Sequence, residues 1–146
     1  MTKQQLNDYC RAEFENIDSA LAELASVIKP KKQKYSIVEL AAIATFIHNC
    51  YNGIENVLKR IFVYSNIDTK ETPTWHKDLL KTSSDRKIIS KKLYDTLSNY
   101  LSFRHFFVHA YSFTLRWGEL KPLANSLKNT VEEFKSATHD YINNLD

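Results

Sequence analysis

Arg104, His109 and Tyr111 stand together in the run Arg104-His105-Phe106-Phe107-Val108-His109-Ala110-Tyr111, the arginine five residues before the histidine and seven before the tyrosine. Arginine stays protonated and offers a planar fork of donors that matches a phosphate, whereas histidine near neutral pH can both take and give a proton. Together they suit cleavage of a phosphodiester. In RNA the 2′-hydroxyl supplies the nucleophile, so a histidine base and an arginine that stabilises charge on the phosphate suffice without a metal. DNA lacks that hydroxyl. The same residue types also allow a plain structural role: a helix-capping arginine, a satisfied imidazole and a half-buried aromatic ring.

Geometry constrains the first of these readings. On an unbroken helix Arg104 and Tyr111 share a face, while His109 lies about 140° from Arg104. Bringing Arg104 and His109 to one site therefore requires either a break between them or a second copy from a partner subunit. The intervening Phe106-Phe107-Val108 can bury itself and anchor the polar groups.

The elements that must position these residues are helical. Leu6, Cys10, Phe14, Ile17, Leu21, Leu24 and Ile28 recur at steps of three and four, the stripe of an amphipathic helix that ends near Lys29-Pro30. Ser36 followed by Glu39, flanked by Tyr35 and Leu40, marks the start of a second helix by a capping box and a hydrophobic staple. Its apolar period runs from Ile37 to about Tyr64, and the first two helices are expected to pair antiparallel. Residues 65 to 84 lose the periodicity and read as a connection, with one or two helical turns over Trp75 to Lys81. A third helix carries Ile89, Leu93, Leu97 and Leu101. A last one carries Leu123, Leu127, Val131, Phe134 and Tyr141, with Pro122 in its first turn.

Composition agrees. The 146 residues fall in the usual range for one domain, with two glycines and three prolines, too few for a fold built on many tight turns. The expectation is a single all-α domain over residues 1–146. A net charge of +3 permits an anionic partner without demanding one. Cys10 and Cys50 sit inside apolar helical patterns and read as buried free thiols of a reducing compartment. No apolar signal core follows Met1 and no stretch approaches the length of a membrane span, so the chain is expected to be cytoplasmic and off the membrane.

The sequence resembles the HepT-like toxins of the HEPN superfamily, whose signature is an arginine, four to six residues, a histidine, and a tyrosine two further on. Arg104, His109 and Tyr111 fit it, and His105 matches the polar residue that often follows the arginine. Tyr51 to Ile61 looks like the family's second long helix, and Trp75 to Leu80 like its short characteristic piece. The resemblance implies an antiparallel bundle of four to five helices of HEPN type. It further implies a metal-independent endoribonuclease acting on RNA as a homodimer, with the Arg104 and His109 motifs of two subunits facing across a composite cleft. One His109 would serve as base and the other as acid, leaving a 2′,3′-cyclic phosphate, and His105 would add a donor. Family members of this kind are paired with a nucleotidyltransferase antitoxin that transfers AMP to the motif tyrosine, so Tyr111 is the implied AMPylation site. A phosphate ester there would place negative charge and bulk beside Arg104 and His109, where RNA must bind.

Other residues carry weaker signals. Glu55, four residues after Tyr51, reads either as an exposed or salt-bridged acid or as a group orienting Arg104. The basic run Lys29 to Lys34 is a track for RNA phosphates or a solvated junction. His48 and Cys50 are too close for a usual pair of helical ligands and His76 lies in the connection, so no metal and no cofactor are expected. Trp75 reads as an anchor for the loop. Two rival functions fit the same chain: a non-catalytic helical module that binds a partner protein, and a domain that binds RNA or a nucleotide without cutting it.

Overall fold

In a computed structural model, described over residues 1–69 and 72–145, the chain forms five α-helices and one short 3-10 turn, with no strand among the described residues. Helix α1 spans Lys3–Val27, α2 Ile37–Tyr64, α3 Trp75–Asp85, α4 Lys91–His109 and α5 Trp117–Asn143; the 3-10 turn is Ser112–Thr114. The fold is an all-helical bundle, as the apolar periods require.

Both early helix starts are chemically marked. The Thr2 and Ser36 side chains accept from the backbone N–H of Gln5 and Glu39, whose own side chains accept from the cap residues' N–H groups. These reciprocal bonds satisfy donors that a helix start otherwise leaves open. Tyr35 packs its ring on Trp117, 4.6 Å between centroids, and so ties the α1–α2 turn to the start of α5.

Helices α1 and α2 run antiparallel. The Arg60 guanidinium lies over the Tyr9 ring, Asn56 reaches Glu13, and the Cys50 thiol donates to the Ile17 carbonyl. Gly53 faces Ile17 so closely that a Cβ there would fall 2.5 Å from Ile17 Cγ1. The missing side chain is what lets the two backbones approach. Helix α2 is the central element: it packs on α1, α3, α4 and α5, and buries Ile43, Ile47, Ile54, Leu58 and Ile61 completely or nearly so.

Helices α2 and α3 end alike. Asn66 and Lys87 take left-handed backbone (φ 57° and 59°), and the next residue's N–H returns to a carbonyl five residues back, Ile67 to Phe62 and Ile88 to Ser83. This closure satisfies the last carbonyls where glycine is the usual choice.

Three boundaries differ from the sequence reading, the first being that Ile89, expected on the third helix, precedes α4, which Ser90 caps at Lys91. The helical turns expected over Trp75 to Lys81 continue to Asp85, because Leu79, Leu80 and Ser83 bury one face against the core. Helix α5 starts at Trp117, so Pro122 lies in its second turn rather than its first. Proline there gives up one bond, to the Gly118 carbonyl, while burial of Leu120 on the core favours the earlier start. Tyr100 joins α4 to α5: its hydroxyl is 2.7 Å from both the Leu123 carbonyl and the Ser126 hydroxyl. Cys10 and Cys50 are free and buried, and burial pushes their thiols up to about 11 and about 12.

Candidate active site

The motif occupies the last turn and a half of α4 and the residues just beyond. The helix is continuous from Lys91 to His109 and ends where Ala110 turns to extended backbone. Of the two ways to unite Arg104 with His109 within one site, a break between them is therefore absent. His109 projects about 140° away from Arg104 around the helix, and about 40° from His105. The His105 and His109 rings meet edge to face, 5.0 Å between centroids, both exposed. Tyr111 lies outside the helix, so the shared face expected for it and Arg104 on an unbroken helix does not apply. It is 73% exposed and stacked on Phe113, 5.4 Å away and nearly parallel.

Arg104 is half-buried, and its Nε is sealed from solvent without a hydrogen-bond partner. The surface it meets is a polar stripe on the central helix. His48, Tyr51 and Glu55 stand at i, i+3 and i+7 on α2 and so share one face of that helix. His48 Nε2 is likewise buried without a partner, and the Tyr51 hydroxyl is buried beside Glu55. Burial, and then the Arg104 charge, hold His48 below its ordinary pKa, which keeps the ring neutral beside the guanidinium. Burial drives the Tyr51 hydroxyl far above its ordinary value and the Glu55 charge adds to this, while Arg104 opposes it. Tyr51 is therefore a neutral hydroxyl between opposite charges.

Glu55 is buried, and its carboxylate does not hold Arg104: both oxygens lie 2.9 Å from Nδ1 of His76 on α3. Of the two expectations for Glu55, a paired acid is what the structure shows, with its partner on another helix. His76 is backed by the Trp75 ring at 3.6 Å, and Lys59 lies over the Trp75 ring at 4.8 Å. Trp75 thus fastens α3 beside α2. His76, Lys77 and Thr74 from the α3 start and Ser102, Arg104 and His105 from α4 line one open cleft of about 370 Å³. Four of these six side chains are basic or can become so, which suits an anion.

The spacing of His48, Tyr51 and Glu55 was visible in the sequence, but their joint approach to Arg104 was not. His76 was weighed only as a metal ligand and set aside, because it lies in a segment without apolar period. The basic run is partly spent locally: Lys32 pairs with Glu39 at 2.7 Å, and Lys29 Nζ donates to the Ser26 carbonyl.

A family model described as HepT-like protein matches residues 42–145. The chain belongs to this family. The match takes in most of α2 and all of α3, α4 and α5, and so every HepT-like site residue described above. No curated protein and no solved structure matches the chain. Among the described residues no helix of this HepT-like chain is long and apolar enough to cross a membrane.

Proposed function

We propose that this HepT-like chain is the endoribonuclease toxin of a toxin–antitoxin pair, working as a homodimer in the cytoplasm without a metal. The observation that carries the reading is the unbroken α4, which sets Arg104 and His109 on different faces of one helix. A site using both is completed by a second copy. Around the same helix end Phe106, Val108, Tyr111 and Phe113 are 41%, 47%, 73% and 69% exposed, an apolar surface suited to a protein neighbour.

In the cleft Arg104 holds the scissile phosphate and stabilises its developing charge, and His105 adds a donor. A histidine takes the 2′-hydroxyl proton, O2′ bonds to phosphorus, and the P–O5′ bond breaks. The departing O5′ takes a proton from His109. The products are a 2′,3′-cyclic phosphate and a 5′-hydroxyl. AMP transferred to the exposed Tyr111 by a nucleotidyltransferase antitoxin would set a phosphate beside the motif and exclude RNA.

The test is cleavage of several RNA classes by purified protein in a chelator, after mass spectrometry shows Tyr111 unmodified. His109→Ala, folded by circular dichroism, is expected to be inactive, and Tyr111→Phe to cleave yet resist silencing. Intact RNA with the clean, folded parent would remove the enzyme reading. The same exposed apolar surface then favours a protein-binding module, and salt-sensitive RNA binding without product favours an RNA-binding one.

A further inference from the structure

Outside the motif, the molecule holds one histidine oriented from behind by a buried carboxylate and open in front to the cleft that contains Arg104. The Glu55 side chain is 3% exposed and that of His76 is 20% exposed. A carboxylate only accepts, so its two contacts at 2.9 Å fix a proton on Nδ1, and in the neutral ring Nε2 is then the nitrogen with the lone pair. Among the described residues Nε2 meets no partner, and it is not among the atoms sealed from solvent. The Trp75 ring on one face and the Glu55 bonds at one edge hold the imidazole in place. Arg104 and His105 lie across the same cleft.

We propose that His76 is the general base of the cleavage reaction, with Glu55 as its positioning residue; the assignment rests on the ribonuclease reading above. With the phosphate on Arg104, His76 Nε2 takes the proton from the 2′-hydroxyl as O2′ bonds to phosphorus. The imidazolium that forms is stabilised by the Glu55 carboxylate at its other nitrogen. The P–O5′ bond breaks and His109 gives O5′ its proton. The base and the phosphate holder then come from one subunit, and the two His109 rings need not divide the acid and base roles.

The experiment compares the parent, His76→Asn and His109→Ala on an oxygen RNA substrate and on one whose bridging 5′ oxygen is sulfur. A thiolate leaves without an acid, so the sulfur substrate restores a variant that lacks the acid but not one that lacks the base. Asparagine can still donate to Glu55, which preserves the buried carboxylate's partner. His76→Asn is expected to lose about 100-fold or more in kcat on both substrates with KM little changed, as for a lost general base. His109→Ala is expected to recover on the sulfur substrate. Parent-like cleavage by His76→Asn, or its recovery on the sulfur substrate, would overturn the assignment and leave the ribonuclease reading intact. A parent silent on both substrates would remove that reading and the base with it. Should His76→Asn fail to fold, Glu55→Gln replaces it: the amide oxygen still accepts from Nδ1 but carries no charge. It is expected to lower kcat about 10-fold at unchanged KM, and an unchanged kcat would refute the role of Glu55 and His76.

Discussion

Replacing Gly53 with alanine is expected to destabilise the protein even though alanine is the better helix former. In a helix interior the exchange gains about 1 kcal/mol from backbone preference. Against this stands the contact with α1, where a Cβ would lie 2.5 Å from Ile17 Cγ1 and 2.8 Å from Ile17 Cδ1. Ile17 is 1% exposed and cannot swing aside into solvent. Overpacking of this kind costs about 1–3 kcal/mol, so the net effect of Gly53→Ala is a loss of about 1 kcal/mol, or roughly 3 °C in Tm. Ile17→Ala removes both of the crowding atoms, at its own cost of about 2–5 kcal/mol. In that background Gly53→Ala changes sign: the methyl group fills space and the helix preference is felt, for a gain of about 1 kcal/mol. The double-mutant cycle should therefore show a coupling of about 2 kcal/mol between residues 17 and 53 in urea unfolding followed by circular dichroism. A stabilising Gly53→Ala in the parent, or equal effects in both backgrounds, would refute the close α1–α2 approach.

The remaining predictions concern titration, thiols and capping. The pKa of folded His48 lies below its ordinary value of 6.5, because of burial first and Arg104 second. The unfolded chain therefore binds more protons, and stability that is full above pH 6.5 falls as the pH drops below it. His48→Gln should lessen the stability lost between about pH 7 and about pH 5, and parallel curves for parent and variant would refute the burial argument. The Cys10 and Cys50 thiols, pushed to about 11 and about 12, should react with a thiol reagent at about pH 8 far more slowly in the folded protein than in denaturant. Ser36→Ala should cost about 1 kcal/mol in unfolding experiments by removing the cap of α2.

Where each helix runs was legible when local chemistry marks it. The Ser36–Glu39 box and the apolar period of residues 37 to 64 gave α2 its observed bounds, and the stripe from Leu6 gave α1. The α3 and α5 bounds were harder to read. Helix α3 runs on to Asp85 because Ser83, though polar, is buried with its hydroxyl donating to the Leu79 carbonyl, and Pro122 is tolerated inside α5. Neither fact follows from residue type.

The sequence by itself determined that Arg104, His109 and Tyr111 sit near one another and that an unbroken helix cannot bring Arg104 and His109 to one face. It also determined the all-helical architecture, because an amphipathic period has to be buried somewhere. The tertiary structure alone decided that α4 is in fact continuous, that Tyr111 leaves the helix, and that Glu55 binds His76 across 21 residues of chain. Helical periods specify which face is buried, whereas the partner met there depends on how α2, α3 and α4 cross. A polar residue on a buried face must find a partner or stay neutral, and only the packed structure supplied one to Glu55 and left His48 and Tyr51 neutral beside Arg104.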